Sequence, residues 1–389
     1  MSEARVNNLS NESNSGGPTI SGITTFSGTN FFVPPVGNTA ERPDNPQKGE
    51  LRFNTDTKHL EYYRGDTIGW SEVEASNEEL NGSYRALAAG GHTGPNGPGY
   101  TNSIDYYAID YPNNATDFGD LTGSRGNGVG GASSRTRGLV MGGYNDGDQI
   151  DYLTIASTGN AINFGNLAVW FEGGACASNN TRAIMAGGFD RPSSSGASAP
   201  KAMNYVTIAS TGDGKDFGDL STTAQYMGSF ASTTRGFWAG GNSPSPSPGL
   251  INTIDYTTIA TTGNAEDFGD LLTVSYSGAA CSNSTRGIMF IGMTPDTSTN
   301  TNTIEYLTMA SAGNAIDFGD TITTCTSGQA ASSPTRASIY SGTGGGVLNW
   351  FVVNIATTGN AVEFGDVVNA GSSYGKYGGA GISNGHGGL

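Results

Sequence analysis

One pattern, repeated six times, limits what this chain can fold into. Its clearest copy runs Ile254-Asp255-Tyr256-Thr257-Thr258-Ile259-Ala260-Thr261-Thr262-Gly263-Asn264-Ala265-Glu266-Asp267-Phe268-Gly269-Asp270. The Phe-Gly near its end falls at Phe118, Phe164, Phe217, Phe268, Phe318 and Phe364, at spacings of 46, 53, 51, 50 and 46 residues. A period near fifty marks an array of one supersecondary unit, each copy burying its face on its neighbours. From the start of each copy to its Phe is always 14 residues, whereas the stretch between the preceding Arg and that start varies from 13 to 21. Constant intervals belong to packed structure, and variable ones are loops.

Each unit reads as four short strands. A run of small residues such as Ser277-Gly278-Ala279-Ala280-Cys281 comes first. Then follow an apolar strand after an Arg (Gly287-Ile288-Met289-Phe290-Ile291), the Ile-Asp-Tyr strand, and, past a Gly-Asn turn, the strand around Phe-Gly. The 61 glycines, about twice the usual share, suit many tight turns between short strands. This order of small run, Gly-Gly-terminated strand, Tyr strand and Gly-Asn turn resembles the Kelch repeat, with Phe where a Kelch repeat carries Trp. Four-stranded units of this period close into a β-propeller. Residues 81–389 are therefore expected to form an all-β, six-bladed, Kelch-like propeller. Its last blade would be sealed by the N-terminal strand at Arg85 and a C-terminal strand within Gly375–Asn384, because an open array leaves unpaired end strands.

Ahead of the array, residues 1–40 read as an extended arm, with Ile20, Ile23, Phe26, Phe31, Phe32 and Val33 as its apolar anchors. Residues 41–75 read as a three-strand β-meander: Glu50–Asn54, His59–Tyr63 and Trp70–Val73, separated by Pro/Gly/Asp turns. The run Arg42-Pro43…Pro46…Gly49-Glu50-Leu51-Arg52-Phe53-Asn54-Thr55-Asp56-Thr57…Leu60-Glu61-Tyr62-Tyr63…Gly65…Trp70…Val73 resembles a module of tail-fibre and other virion structural proteins of tailed bacteriophages. Gly17–Phe26 and Phe32–Pro35 are similar to those of marine cyanobacterial phages. The resemblance covers about the first 75 residues. It implies a virion protein that docks on other virion proteins (tail, neck or capsid) through its N-terminal part, and a trimer by analogy with fibres. Many such proteins end in a self-cleaving chaperone domain, of which this sequence has no sign.

The formal net charge of −16 argues against a nucleic-acid partner, which needs clustered Lys and Arg. The sequence opens without the apolar run of a signal peptide, and no apolar stretch suits membrane insertion. Cys176, Cys281 and Cys325 are odd in number and widely spaced, which suits buried small hydrophobes better than disulfides or zinc. His59, His92 and His386 stand in unrelated contexts and no nucleophile elbow occurs, so an enzyme is not expected. No cofactor or metal is expected; the oxygen-rich Asn145–Asp151 lacks the distal Glu of a calcium loop.

An Arg follows the small run in every copy (Arg85, Arg137, Arg182, Arg235, Arg286, Arg336) and is read as a contact between blades or to a turn carbonyl. Asp120, Asp219, Asp270, Asp320 and Asp366 are read as structural and as partners for these arginines. The repeats differ in the loops between the second and third strands, where Tyr100, Tyr144, Phe189 and Arg191 are the candidate binding residues. A rigid scaffold bearing diverse polar loops suits recognition. The expected function is therefore a virion appendage displaying a propeller toward host-surface glycan or protein. A passive head, neck or tail decoration protein is the alternative, and a glycan depolymerase a more distant one.

Overall fold

The computed structural model describes residues 34–57, 59–72, 84–93, 99–189, 201–243, 249–294, 300–340, 342, 348–368 and 376–389. The protein is all-β, and the chain divides into two units, Met1–Asn77 and Glu78–Leu389. The arm residues Ile20, Ile23, Phe26, Phe31, Phe32 and Val33 lie outside the described residues.

In the first unit the expected meander carries an extra strand. Val36–Gly37, within the segment read as arm, pairs in parallel with Leu51–Asn54, which continues antiparallel to His59–Tyr63 and Trp70–Glu72. The addition follows from the capped turn at Thr39–Glu41, where Asn38 accepts the Glu41 N–H and Glu41 accepts the Asn38 N–H. Such a sheet is too small for an apolar core, and a polar cluster stands in its place. Glu61 is fully buried, 2.5 Å from Arg42 and 3.6 Å from Arg52, with Asn54 donating to it at 3.2 Å. The Arg42 hydrogen bond holds the Glu61 carboxyl below its usual pKa, and both guanidinium groups lie about 6 Å from the Trp70 ring.

The second unit contains six four-stranded antiparallel sheets among the described residues. Sheet I is Gly130–Ser133, Arg137–Met141, Gln149–Thr154 and Ile162–Asn166. Sheet II is Ala175–Ser178, Arg182–Ala186, Ala202–Thr207 and Lys215–Asp219. Sheet III is Gly228–Ala231, Arg235–Ala239, Thr253–Thr258 and Glu266–Asp270. Sheet IV is Ala279–Ser282, Arg286–Phe290, Thr303–Thr308 and Ile316–Asp320. Sheet V is Gln329–Ser332, Arg336–Tyr340, Asn349–Asn354 and Val362–Asp366. Sheet VI joins the two ends of this unit: the C-terminal Ala380–Ser383 pairs with Arg85–Ala89, followed by Thr101–Ala108 and Thr116–Arg125.

The Phe-Gly pair is a β-bulge. In sheet III, Ile254 faces Gly269 while Asp255 faces Asp267, so Phe268 is the extra residue and turns inward; the same register shift occurs in every sheet. Phe118, Phe164, Phe217, Phe268 and Phe318 are all buried. The following glycine takes a φ near +145° to +151° in sheets II and III, a region open to glycine. Its backbone lies against the Gly-Asn turn of the next sheet. Phe217 O accepts from Gly263 N at 2.7 Å, and Asn264 Oδ1 accepts from Asp219 N at 3.1 Å. Equivalent bonds join I to II, II to III, III to IV, IV to V and VI to I, and Asn113 N to Phe364 O joins V to VI.

The recurrent arginines make a second set of inter-sheet bonds. Arg85 Nη1 donates to Ile155 O, Arg137 to Ile208 O, Arg182 to Ile259 O, Arg235 to Met309 O, Arg286 to Ile355 O and Arg336 to Asp110 O. Each guanidinium also lies over an aromatic ring of its own sheet, at 4.5 Å for Tyr106 and 5.1 Å for Tyr256; Arg336 uses Phe364, because Val352 replaces the tyrosine. These bonds correct one expectation. The partners of the arginines are carbonyl oxygens at the ends of the neighbouring third strands. Among the described ion pairs none joins them to Asp120, Asp219, Asp270, Asp320 or Asp366.

Apolar packing follows the same order. One cluster joins sheets I and II through Leu139, Met141, Phe164, Met185 and Val206, and another joins V and VI through Tyr107, Tyr340 and Trp350. The three cysteines are free and buried, and burial pushes the thiols up, to about 12 at Cys281 and about 11 at Cys325. Among the described residues no helix is long and apolar enough to cross a membrane.

Candidate functional site

The first strands of the six sheets pack on one another in sheet order, and that of sheet VI packs on that of sheet I. Each is the edge strand of its sheet. They surround a cavity of about 340 Å³ walled by Gly, Ala and Ser, with Tyr226, Tyr276 and Tyr377 at its entrance.

At that entrance each sheet places backbone in the left-handed region: Asn127 (φ 56) and Gly128 (φ 78) in sheet I, then Gly173 (φ 73), Tyr226 (φ 54), Ser277 (φ 57), Ser327 (φ 57) and Gly378 (φ 67). Backbone bonds run between them. Gly173 N donates to Asn127 O (2.9 Å), Tyr226 N to Gly173 O (2.6 Å), Ser277 N to Tyr226 O (2.9 Å), Ser327 N to Ser277 O (2.7 Å), Gly378 N to Ser327 O (2.7 Å), and Gly128 N to Gly378 O (3.0 Å). Four non-glycine residues accept the conformation at about 1–2 kcal/mol each because the neighbouring sheet bonds fix it.

Loops between second and third strands pair with the segments that lead into the first strands. Tyr144 bridges to Gly126, Phe189 to Glu172 and His92 to Tyr377, each immediately before or beside a first strand. Tyr100 and Tyr144, predicted from two separate loops, come together with ring centres 4.9 Å apart. His92 lies edge-on to Tyr100 and tilted over Tyr377, both at 5.1 Å, and Asn127 Nδ2 donates to the Tyr100 hydroxyl at 3.2 Å. Phe189 is not part of this cluster; it packs edge-on against Tyr226 at 6.0 Å. Arg191 lies outside the described residues. All these rings are half-buried, so their outer edges remain in contact with solvent.

Sequence reasoning missed His92, Tyr226, Tyr276 and Tyr377. A signal was present, since an aromatic directly precedes the small run in three copies: Tyr226-Met227-Gly228, Tyr276-Ser277-Gly278 and Tyr377-Gly378-Gly379. The Asn145–Asp151 stretch is a structural turn. Asp151 is fully buried against Arg125 and accepts from Thr122 N at 3.0 Å, and among the described residues no group of three or more acidic, His or Cys side chains is arranged for a metal. No protein-family model matches the chain, and a search of curated proteins finds none that matches.

Two buried ion pairs support the entrance. Lys376, next to Tyr377, lies 2.7 Å from Asp105, which also accepts from the Tyr340 hydroxyl at 2.6 Å; Arg125 pairs with Asp151. Burial pulls both cations below their ordinary pKa, and the adjacent carboxylates oppose that pull.

The other end of the first strands is filled. Ser133 Oγ donates to Ser383 O (2.7 Å), Ser178 Oγ to Ser133 O (3.3 Å), Ser282 Oγ to Ala231 O (2.7 Å), Ser332 Oγ to Ser282 O (2.7 Å) and Ser383 Oγ to Ser332 O (2.6 Å). The chain's last residues sit against this belt. Gly387 N donates to Ser282 O at 2.8 Å, and His386 Nε2 lies 3.1 Å from Ser133 O while Nδ1 accepts from Gly388 N at 3.1 Å. Those contacts assign the Nε2–H neutral tautomer. A Cβ on Gly387 or Gly388 would fall 2.0 Å from Asn283 O or Ser178 O, so only glycine fits there. The cavity is therefore open toward the aromatic rim and blocked at the serine belt.

Proposed function

We propose that the six sheets are the blades of a closed, six-bladed, Kelch-like β-propeller, and that the protein is a phage virion appendage that binds a host-surface glycan or protein at the loop face. Four sets of inter-sheet contacts support the ring: Phe-Gly on Gly-Asn turns, arginine on carbonyls, the serine belt and the left-handed entrance residues. Three of these sets join every neighbouring pair of sheets, VI to I included, and the serine belt joins all but II and III, where Ala231 stands in place of a serine. The virion reading rests on the resemblance of the first 75 residues to phage fibre modules, with residues 1–40 and 41–75 as the docking region and trimerisation implied by the same resemblance.

The single observation that carries the binding reading is the convergence of Tyr100, Tyr144 and His92, from distant parts of the chain, into one ring cluster with Tyr377, which lines the cavity. Half-exposed aromatic rings with polar edges are the side chains that most strengthen a contact surface. Labelled full-length protein should bind host cells, and Tyr144→Ala should lower that binding about tenfold or more, the loss of about 1.4 kcal/mol or more. Phage carrying a deletion of residues 1–75 should lack the protein on their particles. Normal incorporation would remove the docking proposal, and equal cell binding by Tyr144→Ala would remove the rim from recognition.

A further inference from the structure

Resting on that reading, we infer that the cavity between the first strands receives one neutral, hydroxyl-bearing sugar residue, inserted end-on from the terminus of a surface glycan. The volume of about 340 Å³ lies at the lower end of the range for small-ligand sites, which suits a single ring rather than an oligosaccharide. Among the described residues no Asp, Glu, Lys, Arg or His lines it. A charged ligand would enter without a counter-charge, and a phosphate or acidic sugar would be repelled by a protein of formal charge −16.

An apolar ligand fits no better. The wall is built from the edges of six strands, whose backbone N–H and C=O groups need partners, and it carries the hydroxyls of Ser229, Ser277 and Ser327. Gln329 adds an independent observation. It stands in the cavity wall, only 1% exposed, and neither Oε1 nor Nε2 has a hydrogen-bond partner. Leaving both atoms of a buried amide unsatisfied is costly; Nε2 rests beside Gly91 and Gly379, and turning the side chain into the cavity would let a ligand that carries donors and acceptors together relieve that cost. A sugar hydroxyl is both at once. The tyrosines at the mouth offer flat faces for the C–H side of the ring, and the plug at His386–Leu389 excludes a chain passing through.

The test uses the full-length protein and a panel of methyl glycosides of neutral hexoses and N-acetylhexosamines, with methyl glucuronide as the charged control, read by saturation-transfer NMR. Two variants probe the site. Gln329→Leu removes the amide. Ser277→Tyr with Ser327→Tyr narrows the mouth using a side chain the backbone tolerates, since Tyr226 holds φ 54 where these serines hold φ 57. At least one neutral glycoside should bind and the glucuronide should not; Gln329→Leu should weaken binding about tenfold, and the double tyrosine variant should abolish it with the melting temperature retained. Absence of binding across the neutral panel, or binding that both variants leave unchanged, overturns the inference. Should host cells still be bound in that case, the host-surface reading survives it. Glycoside binding without cell binding leaves the cavity site standing and removes the host-surface reading.

Discussion

Arg286 donates from one nitrogen to Ile355 O at 3.0 Å and to Ala356 O at 2.9 Å, while its guanidinium lies 4.9 Å from the centre of the Tyr306 ring. One side chain thus closes the end of a third strand in the next sheet and braces a third strand in its own. The carbonyls at that strand end have no ladder partner, so an arginine reaching across replaces water there.

Arg286→Ala should destabilise the protein by about 2 kcal/mol, from a charge-assisted hydrogen bond and a ring contact. Arg286→Lys should recover less than half of that, because an ammonium lacks the planar group that lies on Tyr306 while bonding two carbonyls. Urea denaturation of the two variants measures both; a lysine equal to the arginine would show that charge alone matters.

Gly218 shows why Phe is followed by Gly in every copy. Its φ is +145°, and a Cβ there would stand 2.4 Å from Gly263 O, the backbone of the neighbouring sheet's turn. Gly218→Ala should cost about 2–4 kcal/mol, whereas Gly263→Ala, whose Cβ would meet nothing within 4 Å, should cost less than about 1 kcal/mol. Thermal melting of the pair separates a steric clasp from a general preference for glycine.

The Arg125–Asp151 pair is fully buried on both sides, and Asp151 also holds Thr122 N and Oγ1. Asp151→Ala should destabilise by about 3–5 kcal/mol, since it strands a buried guanidinium. Arg125→Met combined with Asp151→Leu should be less damaging than Asp151→Ala alone. A double variant worse than the single one in chemical denaturation would mean that the pair supplies net stabilisation beyond mutual neutralisation.

His386 gives the C-terminal plug a pH dependence. Burial among the first strands lowers its pKa from 6.5 to about 4, and its neutral Nδ1 accepts the Gly388 N–H. The folded-state value is the depressed one, so the neutral ring contributes stability that is complete above about pH 6.5 and is lost as pH falls toward 4. Because the side chain is only half-buried, the loss should be about 1–2 kcal/mol rather than the full value of the shift. Protonation at Nδ1 turns an acceptor into a donor facing Gly388 N–H. Histidine NMR across pH 3–8 reads this directly; a His386 titration near 6.5 would contradict it.

Much of the scaffold was legible in the chain. A constant 14-residue interval from Ile254 to Phe268 and its five counterparts fixes two strands and the turn between them, because the bonds within that hairpin are local. The parallel strand at Val36–Gly37 was not legible, since two residues carry no periodicity and their pairing depends on the capped turn after them. The aromatic rim was half legible. Tyr100 and Tyr144 were visible as unusual loop residues, but their contact arises only where sheet VI meets sheet I.

The sequence by itself determined the number of units, the four-strand order within each, and the small-residue first strand that permits close approach. These are properties of short-range spacing and side-chain size. Tertiary structure decided that the repeated arginines serve carbonyl oxygens rather than the repeated aspartates, that the last glycines enter the serine belt, and that His92, Tyr100, Tyr144 and Tyr377 form one ring cluster. Those outcomes join residues dozens to hundreds of positions apart. What selects them is the need of strand ends and edge strands, once buried between sheets, to find partners for their backbone groups.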